Sequence, residues 1–135
     1  VSELRGHPGI GPPARGRALV AKDGFSARYD LDREAGRFSR PSHRLFGRSY
    51  VGRVLVLDQA KGGVASAWML QEMVASGRAP AALLLNAANP VLAQGAALAG
   101  LPLIDRFPVD VTAAIPDGAL VEVEPLTGTV RLLAG

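Results

Sequence analysis

Cysteine is absent from the 135 residues. The chain therefore offers no thiolate to a metal or an iron–sulfur cluster and forms no disulfide. Histidine is nearly absent as well: only His7 and His43 occur, without H-x-x-H or H-E-x-x-H spacing. A self-contained zinc site is not expected from them. Aromatic residues make up 5% of the chain, which leaves Ala, Val and Leu to fill a core. No long apolar stretch lies near the first residues, and no uncharged run of about 18 apolar residues occurs. A signal peptide and a membrane span are thus not expected, and the expectation is a soluble cytoplasmic protein. Hydrophobic residues, at 48%, suit one globular domain with one core rather than a disordered chain.

Charge is spread unevenly. Residues 1–61 hold 12 Lys and Arg against 6 Asp and Glu, whereas residues 62–135 hold 3 against 6. Six arginines fall between Arg28 and Arg48. Such a run is either a solvated loop face or a surface for an anionic substrate or an acidic partner. Nucleic acid fits least, because no recognition helix, zinc finger or RNA platform accompanies the arginines and no aromatics interleave at stacking spacing.

Residues 1–16 are rich in Gly and Pro without a period and read as an extended N-terminal arm, followed by one domain over residues 17–135. Arg17 to Lys22 and Val51 to Leu57 read as strands. Between them Gly24 to Arg48 is a polar loop, and a loop of that length is usually functional or partner-bound. Val64 to Ser76 is apolar almost all round and predicts a buried helix, stopped by Gly77 and Pro80. Trp68, inside it, is then a core residue or a subunit contact. Ala81 to Leu85 predicts a central strand covered on both faces. Asn89-Pro90 supplies an N-cap and a first-turn proline for a helix closed by Gly100. Leu101 to Ile104 returns as a strand, and Ala119 to Leu133 reads as a hairpin. This alternation predicts parallel crossovers in an α/β fold: a mixed sheet with β ribbons at its ends and helices packed on its centre.

Chemistry in such a fold concentrates where a strand meets a helix. At Asp58-Gln-Ala-Lys-Gly-Gly-Val-Ala-Ser66 a strand ends, two glycines follow and a helix begins. Free N–H groups at a helix N-terminus bind anions, so a carboxylate or phosphate fits there, with Lys61 as a point charge and Ser66 in the first turn. The other reading is a tight turn followed by an ordinary polar residue. The segment is neither a Walker A loop nor a dinucleotide fingerprint. His43 is open to two readings, a proton carrier or a loop histidine bonded to backbone.

An ordered set of short motifs runs through residues 17–133. It comprises Ser26, Asp32 and Gly36, then His43-Arg-Leu-Phe-Gly47-Arg-Ser49, then Lys61-Gly62-Gly63. Leu70-Gln-Glu72, Gly77-Arg-Ala-Pro-Ala-Ala82 and Pro90-Val-Leu-Ala-Gln-Gly95-Ala96 follow, and Asp117-Gly-Ala-Leu-Val-Glu-Val123 with Gly128-Thr-Val130 completes it. The set resembles the small subunit, or swivel domain, of the aconitase X family. That resemblance implies a swivelling β/β/α domain that closes over a large aconitase X catalytic subunit. It implies no cofactor in this chain and an iron–sulfur cluster or iron in the large partner. The family's reactions are eliminations of water from small hydroxy acids, from cis-3-hydroxy-L-proline in bacteria and from a phosphorylated mevalonate in archaea. The swivel domain is expected to lend a serine from its Gly-rich loop as the proton-abstracting group.

Two departures from the family pattern stand out. Gly63 occupies the position of the expected serine, which leaves Ser66 as the candidate catalytic residue. Arg28, Tyr29 and Asp30 replace a glycine pair after the Ser26 segment, and an arginine there favours an acidic substrate. Ser26, Arg28, Lys61, Gly62 and Gly63 are the candidate substrate-binding residues, and a side chain at Gly63 larger than serine is expected to crowd the substrate's approach. Three function classes follow. One is a dehydratase small subunit, inactive alone. Another is a non-catalytic swivel-fold binding or scaffolding domain. The third, a phosphohistidine-type carrier, needs a histidine on a Gly-rich turn, which neither His7 nor His43 provides.

Overall fold

A computed structural model describes residues 3–133. The chain order is β1 (Glu3–Arg5), β2 (His7–Ile10), β3 (Ala14–Val20), β4 (Leu31–Asp32), β5 (Arg37–Phe38), β6 (Val54–Gln59) and α1 (Val64–Ala75). It continues with β7 (Ala82–Ala87), α2 (Pro90–Ala99), β8 (Leu103–Asp105), α3 (Val111–Ala114), β9 (Leu120–Glu124) and β10 (Thr129–Leu132). Eight strands form one mixed sheet in the order β1-β10-β9-β3-β6-β7-β8-β2, and β4 and β5 form a separate small hairpin.

Strand β3 joins two kinds of pairing. Ala14 to Arg17 run antiparallel to β9, and Ala18 to Val20 run parallel to β6. The β6–β7 and β7–β8 pairs are also parallel, each spanned by a helix. Successive residues of a strand face opposite sides of the sheet, and here both sides are cores. Leu55, Leu57, Leu83 and Leu85 pack beneath the helices with Leu70, Met73, Leu92 and Ala96. Val54, Val56, Ala82 and Leu84 pack on the other side with Val111, Ile115, Val121 and Val130. That double coverage is why both strands are continuous apolar runs.

The N-terminal segment is extended and belongs to the sheet, pairing at both of its ends: β1 with β10 and β2 with β8. Glycines permit the crossing. Gly6 N–H donates to Gly128 C=O at 2.8 Å, and a Cβ at Gly128 would stand 2.5 Å from the Gly6 carbonyl oxygen. No pattern in residues 3–10 announced strands, because a segment that pairs at two sheet edges has neither one buried face nor a period. The outermost residues of the arm and of the domain, 1–2 and 134–135, lie outside the described residues.

Helix α2 begins and ends as its sequence dictates. The Asn89 side chain accepts from Leu92 N–H at 2.8 Å, Pro90 opens the first turn, and Gly100 closes the helix in the left-handed region at φ 72°. Helix α1 corrects an expectation. It is not buried all round: only Ser66, Leu70 and Met73 are buried, and Val64 and Trp68 are each 63% exposed. One stripe of the helix meets the sheet, while α2 flanks it at the side, so part of the apolar surface faces outward. Exposure of Trp68 removes the core reading for that residue.

The two helices approach closely at one point. A Cβ at Gly95 would lie 2.7 Å from Ala67 Cβ and 2.8 Å from Ala67 Cα. Backbone cannot yield as a flexible side-chain tip can, so Gly95→Leu is expected to force α1 and α2 apart. Overpacking of this kind costs about 1–3 kcal/mol. Urea unfolding should show a lower midpoint for Gly95→Leu, with the slope unchanged.

Polar groups tie the far end of the sheet to α3. Asn86 Nδ2–H donates to Asp58 Oδ1 at 2.9 Å and to Asp110 Oδ1 at 2.8 Å, and Asn86 Oδ1 accepts from Val111 N–H at 2.8 Å. Hydrogen bonds from Thr112 and then Asn86 hold the Asp110 carboxyl down at about 2. A depressed carboxylate contributes stability above its unfolded value, and that contribution is lost as pH falls through the folded one. The Thr112 amide resonance should therefore titrate near pH 2 rather than near the ordinary 3.8. An NMR titration of the full chain checks this.

Candidate functional site

The site is built where β6 runs out. Phe25 N–H donates to Gln59 C=O, and Lys61 N–H donates to Phe25 C=O, both at 2.8 Å. These bonds lay residues 24–26 alongside the end of β6, so Ser26 comes to rest beside the following glycines. Gly62 adopts φ 94°, the left-handed region that disfavours side chains, and turns the chain into α1.

Gly63 caps α1 without a side-chain hydrogen bond. Among the described residues, the N–H groups of Val64, Ala65 and Ser66 have no acceptor. They supply the partial positive charge of a helix N-terminus. Ser66 itself is only 2% exposed, and its hydroxyl has no hydrogen-bond partner among the described residues. The oxygen itself keeps contact with the surface, unlike the buried, unpaired hydroxyl of Tyr50. The position of Gly62 explains what it faces: a Cβ built there would fall 2.5 Å from Ser66 Oγ and 3.9 Å from Ser26 Oγ. The two hydroxyls thus converge on the space that the absent side chain leaves.

Lys61 is exposed, and its ammonium has no ion partner among the described residues. Its stem lies over Gly24, where a Cβ would come within 2.8 Å of Lys61 Cε. It lines a cleft of about 490 Å³ together with Lys22, Ser42, Asp58 and Gln59, and with Asp30, Arg40 and His43 on the loop side. Lys22 is paired with Asp110 at 3.6 Å and Arg40 with Asp30 at 3.3 Å. Of the lysines and arginines lining this cleft, Lys61 is thus the one without an ion partner among the described residues, and its ammonium N–H groups are open to a ligand.

The structure brings Ser26, Lys61, Gly62, Gly63 and Ser66 together. Arg28 is set apart from them: it is exposed, and its guanidinium lies 5.2 Å from the centre of the Tyr29 ring, a cation–π geometry. At Gly63 the chain itself leaves room for a side chain. Nothing lies within 4 Å of a Cβ built there, and φ is −127°.

The basic loop is more compact than its polarity implied. Phe25, Ala27, Leu31, Phe38, Leu45 and Tyr50 are all buried. Four of its arginines face carboxylates of the same chain: Arg33 with Glu72, Arg40 with Asp30, Arg44 with Asp23 and Arg48 with Asp117. His43 takes the role of a loop histidine bonded to backbone. Its Nδ1 accepts from Leu45 N–H and its Nε2–H donates to Gly24 C=O, both at 3.1 Å. A nitrogen that accepts carries no proton, so the 3.7 Å approach of Nδ1 to Asp23 is not an ion pair.

Sequence reasoning missed Gly24 and Asp30. Asp30 is 3% exposed and accepts from Ser26 N–H at 2.9 Å. The one signal available was a carboxylate next to an apolar residue, Leu31, four positions after the serine.

Known proteins share this fold. The family model described as "Aconitase X swivel domain" matches residues 3–132. The phosphomevalonate dehydratase small subunit of Methanocella arvoryzae is 32% identical over 130 residues, covering 96% of this chain and 98% of that protein. The protein of the same name from Methanothermobacter thermautotrophicus is 34% identical over 117 residues, covering 87% and 89%. The crystal structure of Thermococcus kodakaraensis aconitase X in its holo-form superposes with a TM-score of 0.90 at 25% identity, covering 98% of both chains. With the family model matching the same stretch, residues 3–132, that the mixed sheet spans, the chain belongs to the aconitase X swivel-domain family.

Proposed function

We propose that this chain is the small subunit of a cytoplasmic, heteromeric aconitase X-type hydro-lyase, which closes over a large catalytic subunit to remove water from an anionic hydroxy acid. The observation that carries the reading is the unpartnered hydroxyl of Ser66, a buried residue at the open N-terminus of α1. The names of the relatives make a phosphorylated mevalonate the first substrate to test, with a 3-hydroxyproline-like acid second.

In this reading Lys61 and the α1 N–H groups hold an acidic group of the substrate. The same N–H groups favour an oxyanion at Ser66, which activates it as a base. Ser66 Oγ takes the proton from carbon, the C–H electron pair becomes the new C=C bond, and the C–O bond breaks with departure of hydroxide. An iron–sulfur cluster or iron does not fit this chain: it has no cysteine, and no group of three or more His, Asp or Glu among the described residues is placed to hold a metal. The reading therefore assigns the metal to the large partner, and no step here runs through it.

The test is co-expression with a large aconitase X subunit and an assay for dehydration of phosphomevalonate. The complex should turn over, and the isolated chain should not. Lys61→Met should raise KM about tenfold through loss of one charge-assisted contact, with kcat changed less. Gly63→Ser should fold normally, with stability equal to or a few tenths of a kcal/mol above the parent, because serine caps helices slightly better than glycine. A complex that forms but dehydrates no hydroxy acid would favour the scaffolding alternative.

A further inference from the structure

Ser26 sits in a loop, yet its side chain is fixed. Its Oγ accepts from Tyr29 N–H at 3.3 Å, which leaves the hydroxyl proton free to point toward Gly62 and Ser66. What holds the turn is one carboxylate. Asp30 Oδ2 accepts from Ser26 N–H at 2.9 Å, and Asp30 N–H donates back to Ser26 C=O at 3.0 Å. Asp30 Oδ1 accepts from Arg40 Nη1 at 3.3 Å. The Asp30 carbonyl accepts from Ser39 N–H at 2.8 Å, which ties the turn to the loop's second half. Behind it stands His43, with Nε2 4.0 Å from Asp30 Oδ2 and committed to Gly24 C=O.

We infer that Asp30 is a positioning residue that fixes the Ser26 hydroxyl against Ser66, so that Ser26 can donate a hydrogen bond to the Ser66 oxygen or to the substrate's acidic group. The inference rests on the reading of Ser66 and the α1 terminus as the reacting site. Asp30 is 3% exposed and lines the cleft, and the shorter of its two carboxylate hydrogen bonds runs to Ser26. That bond is the route by which it would act on a reaction. A hydroxyl displaced by even about 1 Å loses much of its contribution to a reaction, so the coupling is measurable in turnover.

Two variants and two readouts test this. In the full chain, amide hydrogen exchange followed by NMR reports the Ser26 N–H directly. In the complex with the large subunit, kcat and KM for phosphomevalonate report the site. Asp30→Ala is expected to speed exchange at Ser26 about tenfold and lower kcat about tenfold, with KM within about threefold. Exchange at β6 and β7 amides should be unchanged. Asp30→Asn keeps an acceptor without charge, so both losses should shrink to about threefold. It also serves if Asp30→Ala does not fold. A folded Asp30 variant with parental Ser26 exchange and parental kcat overturns the inference. Should Ser66→Ala also leave kcat unaltered, the site reading fails as well. Loss of turnover in Ser66→Ala with parental behaviour of both Asp30 variants sinks the positioning role alone.

Discussion

Ser66→Ala is expected to lower turnover of the assembled enzyme by about 10² or more, with substrate binding largely kept, since a positioned base typically contributes that much. Removal of one oxygen from a first-turn residue should cost little in folding. The hydroxyl makes no hydrogen bond among the described residues, and alanine is the better helix former. Loss of activity with stability equal to or above the parent is thus the signature that separates a chemical role from a structural one. Steady-state kinetics give kcat and KM, and thermal unfolding of the same preparations gives the stability. A proportional fall in kcat and kcat/KM means that the contact is made in the transition state. Full activity in Ser66→Ala would move the base to the large subunit and leave this chain the task of binding.

Most of the central fold was legible because its apolar runs and the turn residues between them are plain. The apolar runs of β6 and β7 needed two covered faces, and two cores cover them. Asn89-Pro90 and Gly100 marked α2 because capping is local chemistry, and the structure uses each as expected. The site glycines were legible for the same reason, since a strand-to-helix turn at φ 94° leaves few other residues possible.

What remained hidden depended on distant partners. Helix α1 looked buried because its composition is apolar, but composition does not say which side the sheet occupies, and Trp68 faces out. The six arginines looked like one basic surface. Four of them face acids between 10 and 69 positions away in the chain, at distances of 3.2–3.6 Å. Strands β1 and β2 take their pairing from β10 and β8, more than 90 residues downstream. Asp30 was silent because its partner atom is a backbone N–H, which every residue but proline has.

Gly62→Ala should produce the second large loss, and its comparison with Gly63→Ser isolates the geometry of the turn. The two glycines are neighbours in sequence but not in environment. A methyl at Gly63 meets nothing within 4 Å, whereas one at Gly62 would stand 2.5 Å from Ser66 Oγ and 3.3 Å from Ser66 Cβ. Gly62 also sits at φ 94°, where an L-residue carries about 1–3 kcal/mol of strain. The hydroxyl is a light tip that can rotate aside, so the turn should survive with Ser66 pointing elsewhere. A midpoint of thermal unfolding lowered by about 3–10 °C is the expected structural cost. Turnover should fall by about 10², matching Ser66→Ala, because both changes remove the same oxygen from the same place. The double variant decides whether they act as one. If the methyl works only by displacing the hydroxyl, Gly62→Ala combined with Ser66→Ala should be no slower than either single variant, as for residues that function as a unit. Multiplicative losses in kcat would show instead that the Gly62 backbone contributes on its own, by contacting the substrate where the side chain is missing.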